Sequence, residues 1–110
     1  MRKIEQQMID AIKSRKNWSN SNTHTVYTEK ANRVEVYLHG NHIATVANDG
    51  LTLYSGGGWF TPTTKSRLNA LINEFCNPRT TRVFQKIYNW FVRAFGNVTP
   101  FVDGISIPIL

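Results

Sequence analysis

Residues 33–46, RVEVYLHGNHIATV, decide the fold. Val34, Val36 and Leu38 alternate with Arg33, Glu35, Tyr37 and His39, a period of two that gives a strand one apolar and one polar face. Gly40-Asn41 supplies a reversal, and Ile43, Ala44, Thr45 and Val46 return as the second arm of a β-hairpin. Downstream, Asn48-Asp49-Gly50 turns the chain again into Leu51, Leu53 and Tyr54, a short strand that ends at the triple glycine 56–58. Upstream, Thr25, Val26 and Tyr27 offer a further partner. The count is about four antiparallel strands here, each half-buried, and their apolar face needs a helix over it.

Two helices are expected. Over residues 2–16, Ile4, Met8, Ala11 and Ile12 recur at spacings of three and four, and the segment ends in Lys13, Arg15 and Lys16, cations that complement a helix C-terminus. The polar run Trp18-Ser19-Asn20-Ser21-Asn22 then reads as a turn. The second helix starts near Thr63, with Leu68, Leu71, Ile72 and Phe75 at i, i+3, i+4 and i+7, leaving Lys65, Arg67, Asn69 and Asn73 toward solvent. Thr61 or Thr63 is its cap, Pro62 suits a first helical position after a Thr61 cap, and Asn77-Pro78 ends it. Beyond it, the aromatic and β-branched stretch from Val83 reads as one long hairpin turning at Gly96-Asn97, although Ile87, Trp90 and Phe91 also fit a helical stripe. The apolar ending Ile105, Ile107, Pro108, Ile109 and Leu110 either finishes the core or exposes an edge that pairs with a second copy, which would make a homodimer. The expected fold is therefore a single α+β domain over residues 1–110, with two helices packed on a predominantly antiparallel sheet of about five or six strands.

Length and composition exclude several classes of function. A chain of 110 residues holds one modest core and has no room for a substrate domain beside a cofactor domain. The single Cys76 cannot form an internal disulfide, fits a reducing cytosol, and leaves no cysteine zinc site. Charges at Arg2, Lys3, Glu5, Asp10 and Lys13 interrupt the N-terminal segment, so it reads as neither a signal peptide nor a membrane span. The net charge of +6 is segregated: +3 over residues 1–16, −1 over residues 17–60 and +5 over residues 61–95. Such a distribution fits a nucleic-acid footprint, in which Lys and Arg displace counterions from phosphates, and it also fits a small basic protein that is simply soluble.

The candidate site lies at Gly56–Phe75, GGGWFTPTTKSRLNALINEF. A helix start offers free backbone N–H groups and the positive end of the macrodipole, and here the hydroxyls of Thr63 and Thr64 and the cations Lys65 and Arg67 stand beside it. The spacing is wrong for a nucleotide-hydrolase phosphate loop, because Lys65-Ser66 follows Thr64 where that loop requires glycine. What remains is a looser site for a phosphate or carboxylate, set against the plainer reading of a Thr-capped surface helix.

Two other constellations carry less. His39-Gly40-Asn41-His42 places two imidazoles across the hairpin turn on one face, but two nitrogens are short of a metal site, and His24, Glu35 or Asp49 have no spacing that forces a third ligand inward. The pair with Glu35 would serve general acid–base chemistry in a metal-free nuclease, but turn-flanking histidines are more usually just solvated. The aromatic set Tyr37, Tyr54, Trp59, Phe60, Tyr88, Trp90 and Phe91, interleaved with Arg33, Lys86 and Arg93, follows the logic of single-strand binding surfaces. In so small a domain most of these rings belong to the core, with Tyr37 and Trp59 the candidates for solvent-facing contacts. No catalytic residue, cofactor or metal is expected.

The blocks Leu38–Ala44, Gly58–Ala70, Trp90-Phe91-Val92 and Pro100-Phe101 with Gly104 resemble those of a family of small tailed-bacteriophage proteins, marine and cyanobacterial phages among them. The resemblance spans most of the chain and carries over no catalytic residue. It implies a protein made in the cytoplasm of a bacterial host and acting on host machinery, host defence or phage nucleic acid. Two readings follow. One is a non-catalytic accessory protein that binds nucleic-acid backbone through Thr63, Thr64, Lys65 and Arg67, with Lys86 and Arg93 as further contacts. The other is a protein-binding inhibitor of a host factor anchored by an exposed aromatic such as Trp59. Sequestration of a signalling nucleotide at the Gly56 loop shares the anion site of the first.

Overall fold

A computed structural model describes residues 1–109. The N-terminal periodicity becomes α1 (Lys3–Lys13), which buries Met8, Ile9, Ala11 and Ile12. The helix stops three residues before the expected end. Arg15 takes a left-handed conformation (φ 52°), its N–H donates to the Ile12 carbonyl, and the Lys16 N–H donates to the Ala11 carbonyl, which is a Schellman termination without glycine. The polar run that follows is not merely a turn: Trp18–Asn20 forms β1, hairpinned through Ser21 (φ 53°) to β2 (Thr23–Thr28). Three strands complete the central meander, namely β3 (Arg33–Leu38), β4 (Asn41–Val46) and β5 (Gly50–Leu53). The β3–β4 reversal sits one residue earlier than expected, at His39 (φ 52°) and Gly40 (φ 77°), the two left-handed residues that a type I′ turn requires.

A bulge in that hairpin sets the faces of β4. Val36 pairs with Ala44 while Tyr37 pairs with His42, so Ile43 is the extra residue. Ile43 and Ala44 are both buried, while His42 and Thr45, three apart in sequence, share the outer face. The C-terminal apolar run becomes β9 (Ile105–Pro108), pairing antiparallel with β5 through Leu51 and Ile107. The resulting six-stranded antiparallel sheet has the order β1-β2-β3-β4-β5-β9. α1 lies against β1 and β2, and α2 (Pro62–Phe75) lies against β4 and β5, so the expected helical cover is present.

The stretch after α2 folds differently from the expected single hairpin. It forms β6 (Arg82–Lys86), β7 (Asn89–Ala94) and β8 (Asn97–Pro100), a separate antiparallel sheet in the order β6-β7-β8. The additional reversal falls at Ile87 (φ 49°) and Tyr88 (φ 66°), which carry none of the usual turn residues, and the other falls at Phe95-Gly96. A β-branched residue held in the left-handed region costs about 1–2 kcal/mol, so the Ile87 turn is strained. The inner face of this sheet contributes Val83, Trp90 and Val92 to the buried cluster that includes Met8, Val36, Leu53 and Leu71. Asn69 of α2 ties the two parts together: its Nδ2 donates to the Val83 carbonyl at 2.9 Å and its Oδ1 accepts from the Val83 N–H at 2.9 Å. Cys76, at the end of α2, is buried, and desolvation pushes its thiol pKa up, which keeps it protonated and unreactive.

Gly56 shows how closely the glycine loop approaches the hairpin. Its φ is +76°, and a Cβ there would lie 3.1 Å from Asn41 Cβ and 3.3 Å from Ile43 Cγ2. Gly56→Ala is therefore expected to cost about 2 kcal/mol, from left-handed strain plus displacement of the Asn41 side chain, read as a lower urea midpoint at unchanged slope. A variant as stable as the parent would refute the close approach.

Candidate nucleic-acid interface

The start of α2 has largely satisfied its own donors. Thr61 is the N-cap, its Oγ1 accepting from the Thr64 N–H at 3.2 Å. Pro62 at the first position has no N–H, and the Lys65 N–H donates to the Thr61 carbonyl. Thr64 is buried, with its Oγ1 donating to the Trp59 carbonyl at 3.0 Å, so the expected phosphate contact is a structural hydroxyl. Thr63 keeps the one first-turn N–H without a partner among the described residues. It lines an open cleft of about 540 Å³ with His39, Asn41, Gly56 and Trp59. Lys65 is partly exposed but is not among the residues lining that cleft.

Arg67 is the main correction. It was expected to face solvent beside Lys65, yet it is 3% exposed. Its Nη1 donates to Glu5 Oε2 at 2.8 Å, its Nε to Thr23 Oγ1 at 3.1 Å and its Nη2 to Asn22 Oδ1 at 3.3 Å. Ser66 Oγ also donates to Glu5 Oε2, at 2.6 Å. Arg67 therefore joins α2 to α1 and to the start of β2 and, being buried, presents no donor to a phosphate in solvent. The signal for this was present in the first helix: Glu5, Met8, Ile9 and Ile12 stand at i, i+3, i+4 and i+7, and an acid on an apolar stripe needs a buried cation.

The histidine pair is also separated. His39 occupies the turn and borders the inner-side cleft, whereas His42 lies on the outer face, with its Nε2 2.6 Å from Glu35 Oε2 and 3.1 Å from Thr45 Oγ1. Arg33 Nε holds the other carboxylate oxygen at 3.0 Å. Tyr37 does lie on the outer face, but its ring is stacked on His24 (4.6 Å, 5°) and tilted against His42 (5.3 Å), which in turn meets Tyr54 (4.5 Å). With an imidazole on each side, Tyr37 offers no free face to a base. Trp59, at 63% exposed, remains available as expected. No group of three or more His, Cys, Asp or Glu among the described residues is placed to hold a metal ion.

The remaining two site residues, Lys86 and Arg93, belong to the outer face of the three-stranded sheet, and there the structure adds neighbours that periodicity alone did not single out. Alternation puts Arg82, Phe84 and Lys86 of β6 on that face with Asn89, Phe91 and Arg93 of β7. Arg82 stands directly opposite Arg93, and Phe84 directly opposite Phe91, with ring centroids 5.7 Å apart at 25°. Val98 and Pro100 of β8 extend the two rows. Neither arginine has a carboxylate within ion-pair distance among the described residues. The sequence holds no Asp or Glu from Phe75 to Val102, while it carries Arg79, Arg82, Lys86 and Arg93 there.

The family model described as Kyanoviridae Gp96 protein matches residues 1–108. The chain belongs to this family. It is thus a bacteriophage protein, of the cyanophage kind that the sequence blocks resemble. No curated protein and no solved structure matches it. Among the described residues of this Gp96-family chain, no helix is long and apolar enough to cross a membrane.

The Gp96-family sheet face has an electrostatic property of its own. Like charges directly opposite on a sheet repel, so the Arg82–Arg93 pair costs stability unless an anion sits between them. An aromatic pair one step along the same strands supplies π-faces beside that charge. Cations that hold a backbone next to rings that accept bases are the working parts of single-strand recognition.

Proposed function

We propose that this Gp96-family protein is a non-catalytic nucleic-acid-binding accessory protein acting in the host bacterial cytoplasm. The contact surface would be the outer face of β6-β7-β8. The observation that supports this reading is the opposed, unneutralised Arg82–Arg93 pair beside Phe84 and Phe91 on a sheet with no acid in its strands. Arg82 and Arg93 would bridge neighbouring phosphates, Lys86 would extend the track, and the phenylalanines would take bases in contact with the same strand. The arrangement suits a single strand better than a duplex, because bases paired inside a helix do not present their faces.

The test is fluorescence anisotropy with a labelled single strand and a labelled duplex at low and physiological salt, comparing the parent with Arg82→Ala/Arg93→Ala. Binding should be tighter to the single strand and fall steeply with salt. The double change should flatten the log–log salt slope by about 1.4, roughly 0.7 for each lost phosphate contact. Lys65→Ala, on α2 and not on the strands of that sheet, should leave the slope unchanged. Absence of binding to both probes at low salt, or binding indifferent to the arginine changes, overturns the reading. The exposed indole of Trp59 supports the second reading, inhibition of a host factor through a protein contact that survives moderate salt.

A further inference from the structure

At one end of the β7–β8 pair lies a cleft of about 510 Å³ whose walls are Phe60, Tyr88, Trp90, Phe91, Pro100 and Phe101, with Asn89 at its edge. Its volume falls in the range of small-molecule sites. Trp90 is 6% exposed, and its indole Nε1 is the one buried side-chain nitrogen or oxygen without a hydrogen-bond partner among the described residues. Leaving a buried donor unsatisfied is costly, and an aromatic-walled cleft beside such a donor has the chemistry of a site for a flat ring carrying an acceptor. Phe60 packs edge-on to Trp90 (4.9 Å, 66°), as does Phe101 (6.1 Å, 88°). Of these two neighbours Phe60 is the exposed one, at 46%, and it follows Gly57 and Gly58 in the loop before α2.

We infer that this cleft takes one unstacked nucleobase of the strand bound on the sheet face, with a base carbonyl or ring nitrogen accepting from Trp90 Nε1. The inference rests on the nucleic-acid reading above and adds to it a site for a single base. Continuity favours this occupant: Phe91 and Pro100 belong both to the cleft and to the outer-face row that includes Phe84. A strand held by Arg82, Arg93 and Lys86 passes the mouth of the cleft with its bases turned to the rings. Trp90 Nε1 is closed off from solvent, so the base reaches it only when a covering ring moves, and the exposed Phe60 ring, edge-on to Trp90, is the one placed to do so. Tyr88, itself 92% exposed at the strained turn, lines the same cleft.

The experiment compares an oligothymidylate with an abasic sugar–phosphate strand of equal length, titrated into the 15N-labelled protein and followed at the tryptophan indole N–H signals. The Trp90 signal is identified by its loss in Trp90→Phe, and independently by elimination using Trp18→Phe and Trp59→Phe. Oligothymidylate should shift the Trp90 indole signal, and the abasic strand should leave it in place. Trp90→Phe, which keeps the ring wall and removes the donor, should weaken oligothymidylate binding about fivefold and leave abasic binding unchanged, as expected for one lost hydrogen bond. If both strands bind and the indole signal stays put, the cleft is empty and this inference falls while the sheet-face reading stands. If neither strand binds, the sheet-face reading falls and takes this inference with it.

Discussion

Arg67→Ala should destabilise the protein by about 3–5 kcal/mol, a large share of the roughly 5–15 kcal/mol that holds a small domain folded. The reason is asymmetric. Arg67 and Glu5 are each 3% exposed and neutralise each other at 2.8 Å, so truncating the arginine leaves a carboxylate buried without its cation. Thr23 Oγ1 and Asn22 Oδ1 lose a donor in the same step. Replacing both charges by apolar residues of similar volume, Glu5→Leu with Arg67→Met, should recover most of the loss, because two desolvation penalties vanish together with the ion pair. Lys65→Ala, two residues away and partly exposed, should change stability by no more than about 0.5 kcal/mol. Urea unfolding followed by far-ultraviolet circular dichroism separates these outcomes. An Arg67→Ala protein with the parental midpoint would show that the pair carries no structural weight and would return Arg67 to the list of phosphate contacts.

Asn69→Ala should cost about 2–4 kcal/mol and should act mainly on one part of the molecule. The Asn69 amide occupies both the N–H and the carbonyl of Val83, a fully buried residue of β6, and removing it leaves two backbone groups without partners. β6 is an edge of its sheet, and α2 is the helix packed against it. Amide hydrogen exchange should therefore accelerate across β6-β7-β8 while the protected amides of β3, β4 and β5 keep their rates. Uniform acceleration in both sheets would mean that they open as one unit and that the asparagine is not a separate fastening. Because the proposed interface lies on the loosened sheet, nucleic-acid affinity should drop in this variant although every contact residue is still present.

Much of the architecture was legible because it rests on local pattern. The period of two over Arg33–Val46 gave the hairpin, and the i, i+3, i+4, i+7 series ending at Phe75 gave α2. Thr61 and Pro62 gave its first turn. The α+β class follows from those segments, whereas the six-stranded sheet also takes in β1, whose residues read as a turn, and β9 in place of the expected hairpin after α2. The turn at Ile87-Tyr88 left no such trace, because its left-handed residues are ones that normally avoid that conformation, and the second sheet was therefore read as one hairpin. The site was legible in part. Lys86, Arg93 and Trp59 were named from charge and aromaticity, and the structure exposes all three. Arg82 and Phe84 were not named, and Trp90 was named only as one ring of the aromatic set.

By itself, then, the sequence determined both helices and the strands of the central meander from β2 to β5, that the C-terminal half is basic, and which phage family the chain resembles. Those properties depend on residues close together in the chain. Tertiary structure alone decided which cations remain free, because that depends on partners far away: Arg67 is withdrawn from solvent by Glu5 at the other end of the protein, while Arg82 and Arg93 are brought face to face by a turn with no sequence signature. A charge is available to a ligand only when no neighbour has already neutralised it, and neighbours across the fold are set by packing.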